Sequence, residues 1–124
     1  MYLSHALWLS LLLIAASASV RLQAAEACFT IHGRAHYHSG DGNLRIWHIG
    51  THHDFEPDTS SFARVESWIE AGVKEPAKSQ SATPLSSVDL FADFLICPTE
   101  PFKKGSVQKA KFISAQHRRY VRRE

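Results

Sequence analysis

"CFTIHGRAHYHSGDGNLRIWHIG", residues 28–50, decides the fold. Its first half alternates: Phe29, Ile31, Ala35 and Tyr37 fall on one side, His32, Arg34, His36 and His38 on the other. A period of two is the mark of a strand with one buried face. The "GDG" that follows supplies a turn. A two-residue loop at Asp41 and Gly42 predicts a hairpin in which Tyr37 faces Ile46 and His36 faces Trp47. That register puts Leu44 and Ile46 on the side of Ile31 and Tyr37, whereas a slip of one residue mixes apolar and polar faces.

Beyond the hairpin, "GTHHDFEPDTSS" (50–61) reads as a polar connection. In "FARVESWIEAG" (62–72) Phe62, Val65 and Ile69, with Val73 just beyond, recur at helical spacing, with Ser60 or Ser61 placed to cap the start and Gly72 to end it. The stretch 73–87, with two prolines and many small polar residues, reads as an exposed loop. "SVDLFADFLICP" (87–98) alternates again, with Val88, Leu90, Ala92, Phe94 and Ile96 on one face and Asp89, Phe91, Asp93 and Leu95 on the other. A last strand is expected over 106–116, with Val107, Phe112 and Ile113 as its apolar contacts. The pattern predicts a mainly β fold, a small antiparallel sheet or OB-like barrel of four to five strands with one short helix.

The run "ALWLSLLLIAASA" (6–18) is short for a membrane span and suits the core of a signal peptide. Residues 1–27 are therefore read as a signal peptide and 28–124 as one β-rich domain, periplasmic or secreted. Cleavage before Cys28 would also fit a lipoprotein, which Glu26 argues against. Only Cys28 and Cys97 are present, and in an exported chain two cysteines most simply pair. Residues 28–102 carry five Lys/Arg against ten Asp/Glu, and residues 103–124 carry eight against one. The basic C-terminal segment suits an anionic partner; the plainer reading is a solvated last strand and tail.

A set of short motifs is spread along this domain: Gly33-Arg34 closing a strand, Arg45-Ile46-Trp47 then Gly50-Thr51 in the hairpin, and Ala92-Asp93-Phe94 before Cys97-Pro98. In these the chain resembles small exported bacterial proteins that have no assigned activity. The resemblance implies export and a single domain, and no catalytic residues.

Two chemistries are open to the hairpin. Histidine is a common ligand of transition metals, and His36 and His38 point to the same side of a strand, with His52 and His53 following the partner strand. A transition metal held by these four is one expectation. The other is a ligand-binding surface of Arg34, His36, His38, Arg45 and Trp47, extended by Arg118 and Arg119 in "HRRYVRR", since an indole with charged donors suits sugars, anionic groups or a protein partner. An ordinary half-exposed sheet face remains the alternative to both. No motif for a hydrolase, zinc protease or nucleotide-binding loop is present, and Asp89 and Asp93, about 13 Å apart along a strand, are too far from each other for a paired-carboxylate mechanism. Export disfavours nucleic acid, although Tyr120 would suit base stacking. The expected role is a non-catalytic binding or structural module of the cell envelope, with metal binding as the alternative.

Overall fold

The computed structural model describes residues 27–73 and 84–123. The expected signal peptide and most of the expected loop over 73–87 lie outside the described residues.

The strands are β1 (Phe29–His38), β2 (Asn43–His48), β3 (Asp54–Pro57), β4 (Val88–Pro98) and β5 (Gln108–Arg122), with β1 and β4 formed where the apolar alternation is clearest. A helix, α1 (Phe62–Glu70), follows β3, and a 3₁₀ turn (Pro84–Ser87) leads into β4. The strands close into a barrel in the order β1-β2-β3-β5-β4. Every neighbouring pair is antiparallel except β3 and β5, which run parallel. The fold is thus an OB-like barrel of mixed rather than purely antiparallel strands, and closure leaves no free sheet edge to template aggregation.

The interior is filled by Ile31, Ala35, Leu44, Ile46, Phe55, Leu90, Phe94, Ile96 and Phe112, each within 1% of complete burial. Each large apolar side chain so buried contributes about 1.5–3 kcal/mol. Phe29, at the start of β1, escapes the core and is 42% exposed. Gly33 points inward where any Cβ would press on Ile46 and Phe94, both at 3.0 Å. α1 packs on the barrel through Val65, Trp68 and Ile69. Ser61 occupies its N-cap position, but the hydroxyl is turned into the core to accept the Phe112 N–H at 2.9 Å. Asp58 takes over part of the capping, its Oδ1 accepting the Ser61 N–H at 3.0 Å.

Four expectations are corrected here. The stretch 50–61, read as a polar connection, contains the strand β3, whose Phe55 is fully buried in the barrel. The β1–β2 turn holds four residues, Ser39 to Gly42, closed by the Gly42 N–H on the His38 carbonyl, with Gly42 at φ 71°. Tyr37 therefore faces Leu44 and His36 faces Arg45, two residues away from the expected register. An even shift preserves the faces, which is why the core set still holds. The last strand also runs past Gln116 to Arg122, so "HRRYVRR" is mostly a wall of the barrel rather than a tail. A register shift beside Leu95 and Ile96 leaves Ile113 as an extra residue, 40% exposed, instead of a core contact.

Cys28 and Cys97 form a disulfide. It closes a loop of sequence separation 69, for which chain entropy alone gives about 4 kcal/mol. Replacing both cysteines by serine is expected to lower the unfolding free energy from urea titration by an amount approaching that figure, measured against the oxidised wild type; an unchanged free energy would mean that the link adds nothing to the barrel.

Candidate functional site: the outer face of β1 and β4

The register between β1 and β4 runs from Phe29 opposite Ile96 to Ala35 opposite Leu90. Extended by one pair at each end, it sets Cys28 against Cys97 and His36 against Asp89. The outward residues of these strands therefore meet as cross-strand partners at a spacing of four: the disulfide, then His32 with Asp93, then His36 with Asp89. His32 Nδ1 lies 2.9 Å from Asp93 Oδ1. His36 Nδ1 lies 2.8 Å from Asp89 Oδ1, and here both side chains are buried, at 11% and 9% exposure.

Between these two rungs a third row crosses four strands. Trp47 on β2 stands opposite Arg34 on β1, Arg34 opposite Phe91 on β4, and Phe91 opposite Arg119 on β5. The Arg34 guanidinium sits over the Trp47 ring, 5.2 Å from its centroid, and that of Arg119 over Phe91 at 4.9 Å. The row alternates ring and cation. Trp47 is fixed in turn by donation from Nε1 to the Thr51 carbonyl at 2.7 Å. Arg34 Nε is buried and has no hydrogen-bond partner among the described residues.

A second irregularity of β5 completes the surface. Asp93 pairs with Gln116 but Phe91 with Arg119, so β5 carries one residue too many between them. His117 absorbs it with φ at 53°, a left-handed conformation uncommon outside glycine. The bulge turns the His117 ring back over β4, where Nδ1 lies 2.9 Å from Asp93 Oδ2. Both oxygens of one carboxylate thus hold an imidazole each. The hydrogen bonds of His32 and then His117 keep the Asp93 carboxyl below its ordinary range.

At the other rung, Arg123 closes a triangle. Its Nη1 lies 2.8 Å from His36 Nε2 and its Nε 3.3 Å from Asp89 Oδ1. An arginine can only donate, so Nε2 carries the lone pair and the proton of His36 resides on Nδ1, directed at Asp89. His36 is neutral in this arrangement. Burial is the main cause that pushes its pKa down, with Arg123 and His38 acting in the same sense and Asp89 opposing them.

The residues expected in the ligand-binding surface divide accordingly. Arg34, Trp47 and Arg119 share the central row. His36 lies beneath the surface in its triangle. Arg45 is paired with Glu56 at 2.6 Å. His38 is exposed at the turn end of β1, its ring 4.5 Å from that of His36. Arg118 leaves this face: it lies over Trp68 of α1 and donates through Nε to the Ala115 carbonyl.

Of the four histidines expected to hold a metal, His36 and His38 lie toward the turn, while His52 and His53 follow the opposite end of β2. His53 is sandwiched between Phe55 and Phe102, at 4.1 and 4.2 Å, and burial lowers its pKa. Among the described residues no group of three or more histidine, cysteine or acidic side chains is placed to hold a metal ion.

Asp89, Asp93, Phe91, His117 and Arg123 were not among the expected site residues. A signal for the two aspartates lies in the spacing: His32 and His36 are four apart, Asp89 and Asp93 are four apart, and antiparallel pairing aligns both pairs at once.

The depressed pKa values of His36 and His53 set a pH dependence. The unfolded chain takes up protons near the ordinary histidine value of about 6.5, and the folded chain resists them, so stability falls as the pH drops below that value. Asp93 and Asp58, also lowered, act in the same direction only near and below the ordinary carboxylate range of about 4. The denaturation midpoint is expected to fall between pH 7.5 and 5.5, and His36→Gln to reduce the drop while leaving the share due to His53. Compared with known proteins, the chain matches no family, no curated sequence and no solved structure, so its function is argued from this geometry.

Proposed function

We propose that the protein is an exported, non-catalytic module that binds an anionic component of the cell envelope through the row Trp47, Arg34, Phe91 and Arg119. The observation that carries this reading is the placement of two guanidiniums over two rings in one cross-strand row. A guanidinium held over an aromatic face can still donate from its remaining N–H groups to a carboxylate or phosphate, and it loses little freedom on binding. Arg45 and Arg123 are ion-paired with Glu56 and Asp89, whereas Arg34 and Arg119 have no acidic partner among the described residues. Within the row, therefore, no ion pair among the described residues competes with a ligand for either cation.

Barrels of this kind present an outer sheet face to oligosaccharides and oligonucleotides. The apolar run at 6–18 and the Cys28–Cys97 disulfide support an oxidising, extracytoplasmic setting. That setting favours an envelope polyanion over nucleic acid. It also suits a domain in which no helix of the described residues is long and apolar enough to cross a membrane.

The test is chromatography on an immobilised acidic polysaccharide. The wild type is expected to be retained and released by salt, as screening of exposed charges requires. Arg34→Gln with Arg119→Gln is expected to elute at markedly lower salt, while the control Arg64→Gln, on α1, elutes as wild type. Equal elution of the double variant and the wild type would refute the proposal.

A further inference from the structure

Beneath the β1–β2 turn lies a hollow of about 420 Å³ whose lining includes His36, His38, Ser39, Asp41, Ser86 and Arg123. We propose that this hollow is a proton-gated site for a small oxyanion, a sulfate, phosphate or carboxylate group, with His36 and Arg123 as its donors. The inference rests on the His36, Asp89 and Arg123 triangle and is independent of the Trp47 to Arg119 row.

In the neutral triangle the donors are turned on each other. Arg123 Nη1 is satisfied by the His36 lone pair at 2.8 Å, and Asp89 balances the guanidinium charge. His36 then offers the hollow no N–H of its own, and Arg123 is held by its contacts with both partners. A proton on His36 enters at Nε2, the nitrogen that faces Arg123, because Nδ1 already directs its hydrogen at Asp89. The hydrogen bond to Arg123 is then lost and two N–H donors with positive charge confront each other. Arg123 is the member able to move: its side chain is 46% exposed, against 9% for Asp89. Through Nε it keeps Asp89, and its Nη1 turns to the hollow beside the new His36 Nε2–H. An anion seated between them replaces a cation–cation contact with two charge-assisted hydrogen bonds.

The surrounding charges are consistent with this gate. On β4 His36 meets Asp89 and at the end of β5 Arg123. On β1 its neighbour is His38, whose ring centroid lies 4.5 Å from that of His36. Across β2 stands Arg45, paired with Glu56 of β3. Asp41 is the acidic residue of the lining, and its Oδ1 accepts the Asn43 N–H at 3.1 Å. Burial lowers the pKa of His36, which keeps the site closed at neutral pH. By linkage, whatever anion binds the protonated form must raise that pKa.

Inorganic sulfate is the probe, since its charge does not change between pH 5 and 8. Calorimetry of the whole domain at fixed ionic strength is expected to show affinity falling by about tenfold for each pH unit above the His36 midpoint. The His36 ring resonances in NMR are expected to titrate at higher pH when sulfate is present. Arg123→Gln should abolish binding at pH 5.5 while retaining a dispersed spectrum, and His36→Gln should remove the pH dependence. Arg34→Gln with Arg119→Gln should leave sulfate binding intact even where retention on polysaccharide is lost. A midpoint shift with sulfate assigns a free anion as sufficient, and one seen only with acidic polysaccharide assigns an acid group of the polymer. No shift with either, equal sulfate affinity at pH 5.5 and 7.5 with no response to the polymer, or loss of binding in the Arg34 and Arg119 variant would overturn the proposal.

Discussion

The alignment of β1 with β4 is the constraint on which the remaining structure depends. One register joins Cys28 to Cys97, His32 to Asp93 and His36 to Asp89, and sets Arg34 across from Phe91 between the two histidine rungs. A slip of one residue would part all of these at once and turn Ile31 and Ala35 outward. The covalent link, the polar rungs and the apolar core therefore enforce the same alignment. Each raises the cost of any other.

Within that frame, β5 departs from regularity where the outer face needs it. An uninterrupted strand would carry its inner and outer residues in strict alternation, but the extra residue at His117 reverses the alternation beyond it. Tyr120 is thereby directed to α1, where its hydroxyl donates to the Trp68 carbonyl at 2.7 Å, while Arg119 and Arg123 reach the outer face. The unusual backbone of His117 is held by its bond to Asp93. Two irregular pairings in one long strand thus convert a basic sequence into a positioned set of cations.

Much of the barrel was legible in the sequence because burial writes itself as a period of two. The inward residues of β1, β2 and β4 were all read from alternation, and α1 from Val65 and Ile69. The hairpin register was not, because "SGDG" accommodates both a two-residue and a four-residue turn and the two differ by a shift that leaves both faces unchanged. Ile113 was misplaced since a bulge leaves no mark in apolar periodicity. For the site, Arg34, Trp47 and Arg119 were identified by residue type. Asp89 was placed on the polar side of its strand, where an aspartate is usually solvated. Its partners are His36 and Arg123, the latter thirty-four positions later, and only the closed barrel brings them together.

The packing of Tyr120 has a last consequence. At Gly72 a Cβ would lie 2.0 Å from the Tyr120 ring, so the ring occupies the space that any side chain there would need. The absence of a side chain at the end of α1 is what lets an aromatic from β5 seat against the helix. The basic segment is thereby moored at its centre, between the bulge at His117 and the triangle at Arg123. Polybasic tails commonly meet their partners as floppy chains and lose conformational freedom in doing so. Here that entropy is lost once, when the barrel forms, and the backbone carrying these charges is fixed before any partner arrives.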